Sequence, residues 1–348
     1  MRDAPTIGTD ERTAAVSAAA AASSTADVVD AVERTLERAA AVVPAAATRA
    51  RLALAALLDG VARSTWPEIA GRFSRLTTSG APVELAWTGR DASLRWTAEV
   101  APPETPTAQR LTLAGTWAGV DTQSLAQAQH GRPLRYGAWL AGRHAEDGRD
   151  GAKVYAEVPD GARLPDPAAH PVFRSWGLTW RMAGVADDGT TEWYARAERA
   201  EEVDLLAFER STLGSDGLLR ARVRELLRSE ALPRPCGLSV AFAPGPGGSP
   251  SPGESPSPGE SPSPGGRTVP VAITWFAPAG AVFADDDDAV RRLSATTDDA
   301  AARALLAALL GAERATTTTA AARRRIVPIG VGVGFDGSSW AQAGLLPS

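Results

Sequence analysis

The sequence predicts an α+β fold, a barrel of about ten antiparallel strands inside a ring of helices. Three observations lead there. Helical stretches and strand pairs recur in one order along the chain. Apolar and polar residues alternate within the strands, so each strand has one apolar and one polar face. The connections within pairs are turn-like, as in the Asp-Gly step at the centre of GLTWRMAGVADDGTTEWYARAE (177–198).

The elements follow in order. Residues 27–43 place Val28, Val29, Val32, Leu36 and Val43 at helical spacing, and 50–63 continue with Leu52, Leu54, Leu57, Leu58 and Val61. A strand pair follows in PVELAWTGRDASLRWTAEV (82–100). After a helical or irregular stretch at 105–129 comes a second pair, LRYGAWLAG (134–142) with AKVYAEVP (152–159). The third pair is 177–198, and residues 201–231 return to helix with Leu218, Leu219, Val223, Leu226 and Leu227 on one face. CGLSVAFAP and RTVPVAITWFAP form the fourth pair around a Pro/Ser/Gly-rich segment at 244–266, expected to be a disordered hairpin loop because proline at that density enters neither helix nor central strand. A helix at 286–311 precedes the fifth pair, IVPIGVGVGFDGSSWAQAGLLP (326–347). Residues 1–25 read as a disordered tail, leaving 26–348 as one domain.

The alternation sets direction. Val83, Leu85 and Trp87 oppose Glu84, Ala86 and Thr88; Leu94, Trp96 and Ala98 oppose Arg95, Thr97 and Glu99. Val154, Ala156 and Val158 oppose Lys153, Tyr155 and Glu157; Trp193, Ala195 and Ala197 oppose Glu192, Tyr194, Arg196 and Glu198. An open sheet could turn the polar faces to solvent. Hairpins joined through helices, with the apolar faces outward, favour closure around a polar lumen of ligand size.

Composition narrows the function. A net charge of -5 argues against nucleic-acid binding through charge. A single cysteine, Cys236, excludes an internal disulfide and a Cys-based zinc site. The acidic residues ahead of the N-terminal Ala run are the wrong order for a signal peptide, and no apolar run is long enough to span a membrane. A cytoplasmic setting without membrane partners is expected. Of the 36 basic residues, only Lys153 is lysine.

SGAPVELAWTGRDASLRWTAEVAPPE resembles the first strand pair of dimethylallyltryptophan-synthase-type aromatic prenyltransferases of the fungal-type bacterial group, which share the ABBA barrel. The family's Pro-x-Glu and Arg-aromatic are matched by Pro82, Glu84, Arg95 and Trp96, and its Lys-x-Tyr by Lys153 and Tyr155. The resemblance implies prenyl transfer from an allylic diphosphate, dimethylallyl or longer, to an aromatic acceptor such as indole or tryptophan. It implies no metal and no cofactor beyond the prenyl diphosphate co-substrate. Glu84 would be the catalytic carboxylate on the indole N–H; Arg95, Lys153 and Arg196 would hold diphosphate; Tyr155 and Tyr194 would shield the allyl cation. Arg135 and Arg181 are lesser cation candidates on the third and fifth strands.

The residue types suit that chemistry. Cations bind a multiply charged leaving group, aromatic faces stabilise an allyl cation, and a carboxylate on an indole N–H raises ring nucleophilicity. Other readings of the same residues stand beside it. A Glu and an Arg on one hairpin, as Glu84 and Arg95 are, commonly just pair across it. Glu192 stands where a cation is expected by analogy with Lys153. Ala272, Thr274 and Phe276 on the eighth strand and Gln342 on the tenth add no cation. The small apolar second half of the lumen would admit an acceptor inside a peptide, and the alternative reading is a non-catalytic barrel that binds a hydrophobic small molecule.

Three motifs carry no chemistry. ADDDDAV (284–290) lacks an Asp four residues after Asp285 and reads as the charged cap of the next helix. Gly330, Gly332 and Gly334 repeat at period two on a strand, which is not a dinucleotide loop. Cys236 borders a strand with no nearby His and reads as a structural thiol.

Overall fold

A computed structural model describes residues 24–77, 80–162, 178–229, 231–245, 268–311 and 325–348. Ten strands close into one antiparallel barrel in the order β1-β10-β9-β8-β7-β6-β5-β4-β3-β2, as the sequence predicts. They are β1 (Val83–Thr88), β2 (Leu94–Ala98), β3 (Ala138–His144), β4 (Asp150–Glu157), β5 (Thr179–Ala186), β6 (Thr191–Ala197), β7 (Cys236–Pro244), β8 (Thr268–Pro278), β9 (Ile326–Gly334) and β10 (Ser339–Leu345). Each neighbour in sequence is a neighbour in the barrel, and β1 with β10 makes the closure. Most of the tail at 1–25 and of the loop at 244–266 lies outside the described residues. Ser24 and Thr25 do not belong to a tail: Ser24 caps the first helix and forms a capping box with Asp27.

Nine α-helices are described: α1 (Thr25–Ala40), α2 (Pro44–Ala62), α3 (Pro67–Ala70), α4 (Thr107–Ala118), α5 (Gln123–Gln129), α6 (Glu202–Leu213), α7 (Leu218–Leu227), α8 (Asp286–Ser294) and α9 (Ala300–Leu310). Two expected long helices are each broken in two. The 201–231 stretch divides because Gly214 and Gly217 adopt positive φ and the buried Glu209 carboxylate accepts from the Leu218 and Leu219 N–H groups, both at 2.9 Å. The 286–311 stretch divides where Asp299 caps α9 by accepting from Ala301 and Ala302 N–H. Asp285 caps α8 and three further Asp fill its first turn, the cap the sequence predicts for the acidic run.

The core lies between barrel and helices. Outward residues Leu85, Trp87, Leu94, Val154, Leu238, Ile273 and Trp275 are buried with Leu36, Leu54, Leu205, Phe208, Leu219 and Leu306 from the helices. Burying such side chains stabilises by about 1.5–3 kcal/mol each relative to exposure. Trp87 also donates through its indole N–H to the Ala302 carbonyl of α9 at 2.7 Å.

Space on the outer face is tight at Gly142. The Trp96 ring lies where a Cβ at that glycine would stand, and its indole N–H donates to His144 Nε2 at 3.1 Å. Gly142→Ala is therefore expected to lower the unfolding free energy by about 1–3 kcal/mol, as overpacking does. Gly60→Ala on α2, where a Cβ meets nothing within 4 Å, is expected to leave it unchanged or slightly raised. Urea unfolding of both variants checks the pair.

Candidate active site

Register places the inward side chains. Glu84 stands opposite Thr97 and Ala86 opposite Arg95, so the Glu and Arg of the first hairpin are offset by one inward position. They do not pair. Arg95 instead bonds the Asp91 carboxylate at 3.2 Å and the Ser93 hydroxyl at 3.0 Å in the β1–β2 turn. The Glu84 carboxylate makes no hydrogen bond or ion pair among the described residues. Burial without a compensating charge pushes its carboxyl up to about 8.

The lumen is a cavity of about 500 Å³ lined by Glu84, Arg95, Lys153, Tyr155 and Tyr194 among others. Five of the six residues picked out from sequence thus share one cavity. Glu84 lies near the end where helices join the strands, with Trp139, Met182, Pro328 and Gly344. Arg143, Gly151, Asp187 and Asp188 lie at the hairpin end.

Lys153 Nζ forms an ion pair with Glu192 and donates to the Tyr194 hydroxyl at 3.1 Å. The ammonium also stands 4.9 Å and 5.4 Å from the Tyr155 and Tyr194 ring centres. Burial works against its charge, but the Glu192 carboxylate outweighs it and holds the lysine above its ordinary range. Burial likewise disfavours the Glu192 carboxylate, and Lys153 overcomes it and holds that acid below its ordinary value; the Ser239 hydroxyl donates to its other oxygen at 2.6 Å. The two tyrosine rings meet edge to face at 5.7 Å, and Tyr194 continues to Phe276 at 5.9 Å. Burial raises the Tyr194 hydroxyl well above its ordinary range, so it stays a neutral phenol.

The pair joins strands that are not neighbours. Lys153 is opposite Ala186 of β5, and Gly184 of β5 is opposite Glu192 of β6. A Cβ at Gly184 would overlap Lys153 Cε, so the bare backbone there is what lets the lysine cross β5.

Three expected cations lie elsewhere. Arg196 shares the face of Glu192 and Tyr194 but ends β6, where its side chain is 49% exposed, pairs with Glu198 at 2.7 Å and does not line the cavity. Arg135 precedes β3, which starts at Ala138 and not at 134; it faces Asp160 at 3.7 Å. Arg181 sits in an irregularity between Trp180 and Met182 that shifts the inward parity of β5 to Met182, Gly184 and Ala186, and it pairs with Asp160 at 3.1 Å.

Two site residues were missed. Arg143 lines the hairpin end and bonds Asp91 at 2.9 Å, so one carboxylate bridges it to Arg95. The alternation Trp139, Ala141, Arg143 would have found it had the strand been extended one residue. Trp139 lines the opposite end, stacked on Tyr136 at 4.2 Å, with its N–H donated to the buried Glu99 carboxylate at 2.8 Å. Glu99 is itself held by Arg110 at 2.6 Å and Ser74 at 2.5 Å. On β8 and β9, Ala272, Thr274 and Phe276 stand opposite Gly334, Gly332 and Gly330, and the room left by the glycine repeat is taken up by the Trp340 ring at Gly332 and by Phe276 and Gln342 at Gly330. Among the described residues no group of His, Cys, Asp and Glu could hold a metal ion, and no helix is long and apolar enough to cross a membrane. Cys236 is buried, and burial pushes its thiol up to about 11, as suits a structural residue.

The ten-stranded barrel around a half-closed lumen has the ABBA fold, as comparison with solved structures shows. The chain is similar to 5-dimethylallyl tryptophan synthase from Streptomyces coelicolor in complex with DMASPP and Trp, at 17% identity over 93% of this chain and 95% of that one, TM-score 0.64. It is similar to 6-dimethylallyltryptophan synthase from Micromonospora olivasterospora, also with DMASPP and Trp, at 17% identity over 93% and 98%, TM-score 0.60. AnaPT from Neosartorya fischeri matches at 13% identity over 84% of each chain, TM-score 0.54. No family model matches the chain, and no curated protein matches it in sequence.

Proposed function

We propose that this protein is an aromatic prenyltransferase that moves a prenyl group from an allylic diphosphate to an indole-type acceptor. The observation that carries the reading is the gathering of Glu84, Arg95, Lys153, Tyr155 and Tyr194 around one cavity. The solved structures with DMASPP and tryptophan on the same fold support it.

In this reading Arg95, Arg143 and Lys153 bind the diphosphate through charge-assisted hydrogen bonds. The allylic C–O bond breaks, its electron pair leaves with diphosphate, and the allyl cation sits against Tyr155 and Tyr194, which exclude water. A ring carbon attacks the cation, and the ring then gives up its proton to the released diphosphate or to water, which restores aromaticity. Glu84 accepts the indole N–H and raises the ring's nucleophilicity. Trp139, fixed by Tyr136 and Glu99, offers an aromatic wall beside Glu84 for the acceptor. No step calls on a metal. Arg196, paired at the strand end, has no part in this assignment.

The test is direct. The protein is incubated with dimethylallyl or geranyl diphosphate and a panel of tryptophan, simple indoles and tryptophan-containing peptides, and the products are weighed by mass spectrometry. A prenyl mass gain on an aromatic acceptor is expected. No gain across the panel would leave the barrel as a binder of hydrophobic small molecules.

A further inference from the structure

Among the described residues, all three cations that line the lumen are already matched by carboxylates of this chain. Asp91 takes Arg95 and Arg143; Glu192 takes Lys153. The two carboxylates differ in placement. Asp91 belongs to the β1–β2 turn, where its side chain is 32% exposed and also accepts from the Ser93 N–H and hydroxyl. Glu192 is built into β6 behind Lys153, which lines the cavity where Glu192 itself does not; its side chain is 16% exposed, and Lys153 and Ser239 grip its two oxygens. Its neighbours on the inner face of the barrel are the tyrosines, Ser239 and Gly184; Ser239 lies opposite Thr274, with no second cation there among the described residues. Asp187 and Asp188 add acid at the hairpin end.

A diphosphate that reaches for Lys153 thus meets a fixed negative charge on the same ammonium. Like charges at that range repel strongly where the surroundings are less polarisable than water. The pair also explains why the lysine remains charged in a half-closed cavity, since burial alone would favour its neutral form.

We propose that Glu192 is an internal counter-ion that competes with the donor's diphosphate for Lys153, and so a specificity residue that limits how much anionic charge the lumen accepts. The inference rests on the prenyltransferase reading of the same cavity. Glu192 keeps Lys153 charged and placed, at the cost of weaker donor binding. Removing its charge while keeping its shape should strengthen anion binding, an effect opposite to that of structural damage.

The experiment titrates inorganic diphosphate into the full chain by calorimetry at neutral pH, at low and high KCl. Wild type is compared with Glu192→Gln and Glu192→Ser. Both variants are expected to bind at least tenfold tighter, with a steeper loss on adding KCl, because the incoming diphosphate then takes the place of Glu192 as the counter-ion that holds Lys153 charged. A second measurement needs no variant. Lys153 is the only lysine in the chain, so lysine-selective labelling gives a single side-chain NMR signal, and diphosphate is expected to move it. Variants that bind no tighter than a wild type that does bind would overturn the inference and leave the prenyltransferase reading standing; a lysine signal unmoved at saturating diphosphate would overturn the inference and also take Lys153 out of the proposed donor site. Absence of binding by all three proteins would overturn both.

Discussion

Glu84→Gln is expected to lower prenyl transfer to tryptophan by roughly 10²-fold or more, the range over which general-base-type assistance operates. Gln keeps the shape of the side chain but cannot become anionic, so binding of the diphosphate donor should persist. The pH dependence carries the sharper test. With its carboxyl pushed up to about 8 by burial, Glu84 is mostly protonated at neutral pH. Only the carboxylate draws strongly on an indole N–H, so the wild-type rate should climb about tenfold for each pH unit below 8 and level off above it. The Gln variant should lack that limb. A wild-type rate that is flat from pH 6 to 9, or a Gln variant with undiminished turnover, would remove Glu84 from the chemistry.

The same group marks stability with a definite sign. Its folded pKa is raised above the ordinary 4.5, so its contribution is fully present below about pH 4.5 and is lost as pH rises through 8. Wild type should lose about 2–3 kcal/mol relative to Glu84→Gln between pH 6 and 9, readable as a falling unfolding midpoint. A carboxylate that the fold disfavours is one the acceptor's N–H can favour, which links the stability cost to the proposed role.

How much of this was legible in the sequence turns on the period of the strands. Alternation in VELAWT, LRWTA, AKVYAEV and TEWYARA assigns inward faces without any knowledge of partners, and Glu84, Arg95, Lys153, Tyr155 and Tyr194 follow from it. Period alone fails where the backbone departs from it. The irregularity between Trp180 and Met182 inverts parity partway along β5 and takes Arg181 out of the lumen. The start of β3 is set by the Glu157 carboxylate, which accepts from the N–H groups of Arg135, Tyr136 and Gly137 and leaves no ladder there for Arg135. Position along a strand is a second variable that period cannot supply: Arg196 has the inward parity and the wrong depth. Partnership is a third. The Lys153–Glu192 contact skips a strand and depends on Gly184 having no side chain, and no local pattern encodes that.

Lys153→Ala is expected to lower the unfolding free energy by about 3 kcal/mol besides weakening donor binding. Most of the loss comes from what stays behind, a carboxylate in β6 with its cation gone. If so, the double variant Lys153→Met with Glu192→Gln should recover most of it, because both charges leave together and the space remains filled. The coupling between the two sites, read from a double-mutant cycle in urea, should exceed 1 kcal/mol; additive losses would mean that the pair contributes nothing beyond its members. The pair differs from Glu84 in its response to pH. Lys153 is held above its ordinary 10.5, so its share of stability is fully present below that value and disappears only as pH rises through the raised one. Glu192 is held below 4.5, so its share is present above that value and disappears only as pH falls through the lowered one. From pH 6 to 9 neither changes charge, and the gap between wild type and the double variant should stay constant across the window in which Glu84 produces a slope. Glu84 is thus kept neutral by burial and Glu192 kept charged by a single lysine. A pH series on the two variants side by side separates the acid proposed to meet the acceptor from the acid proposed to compete with the donor.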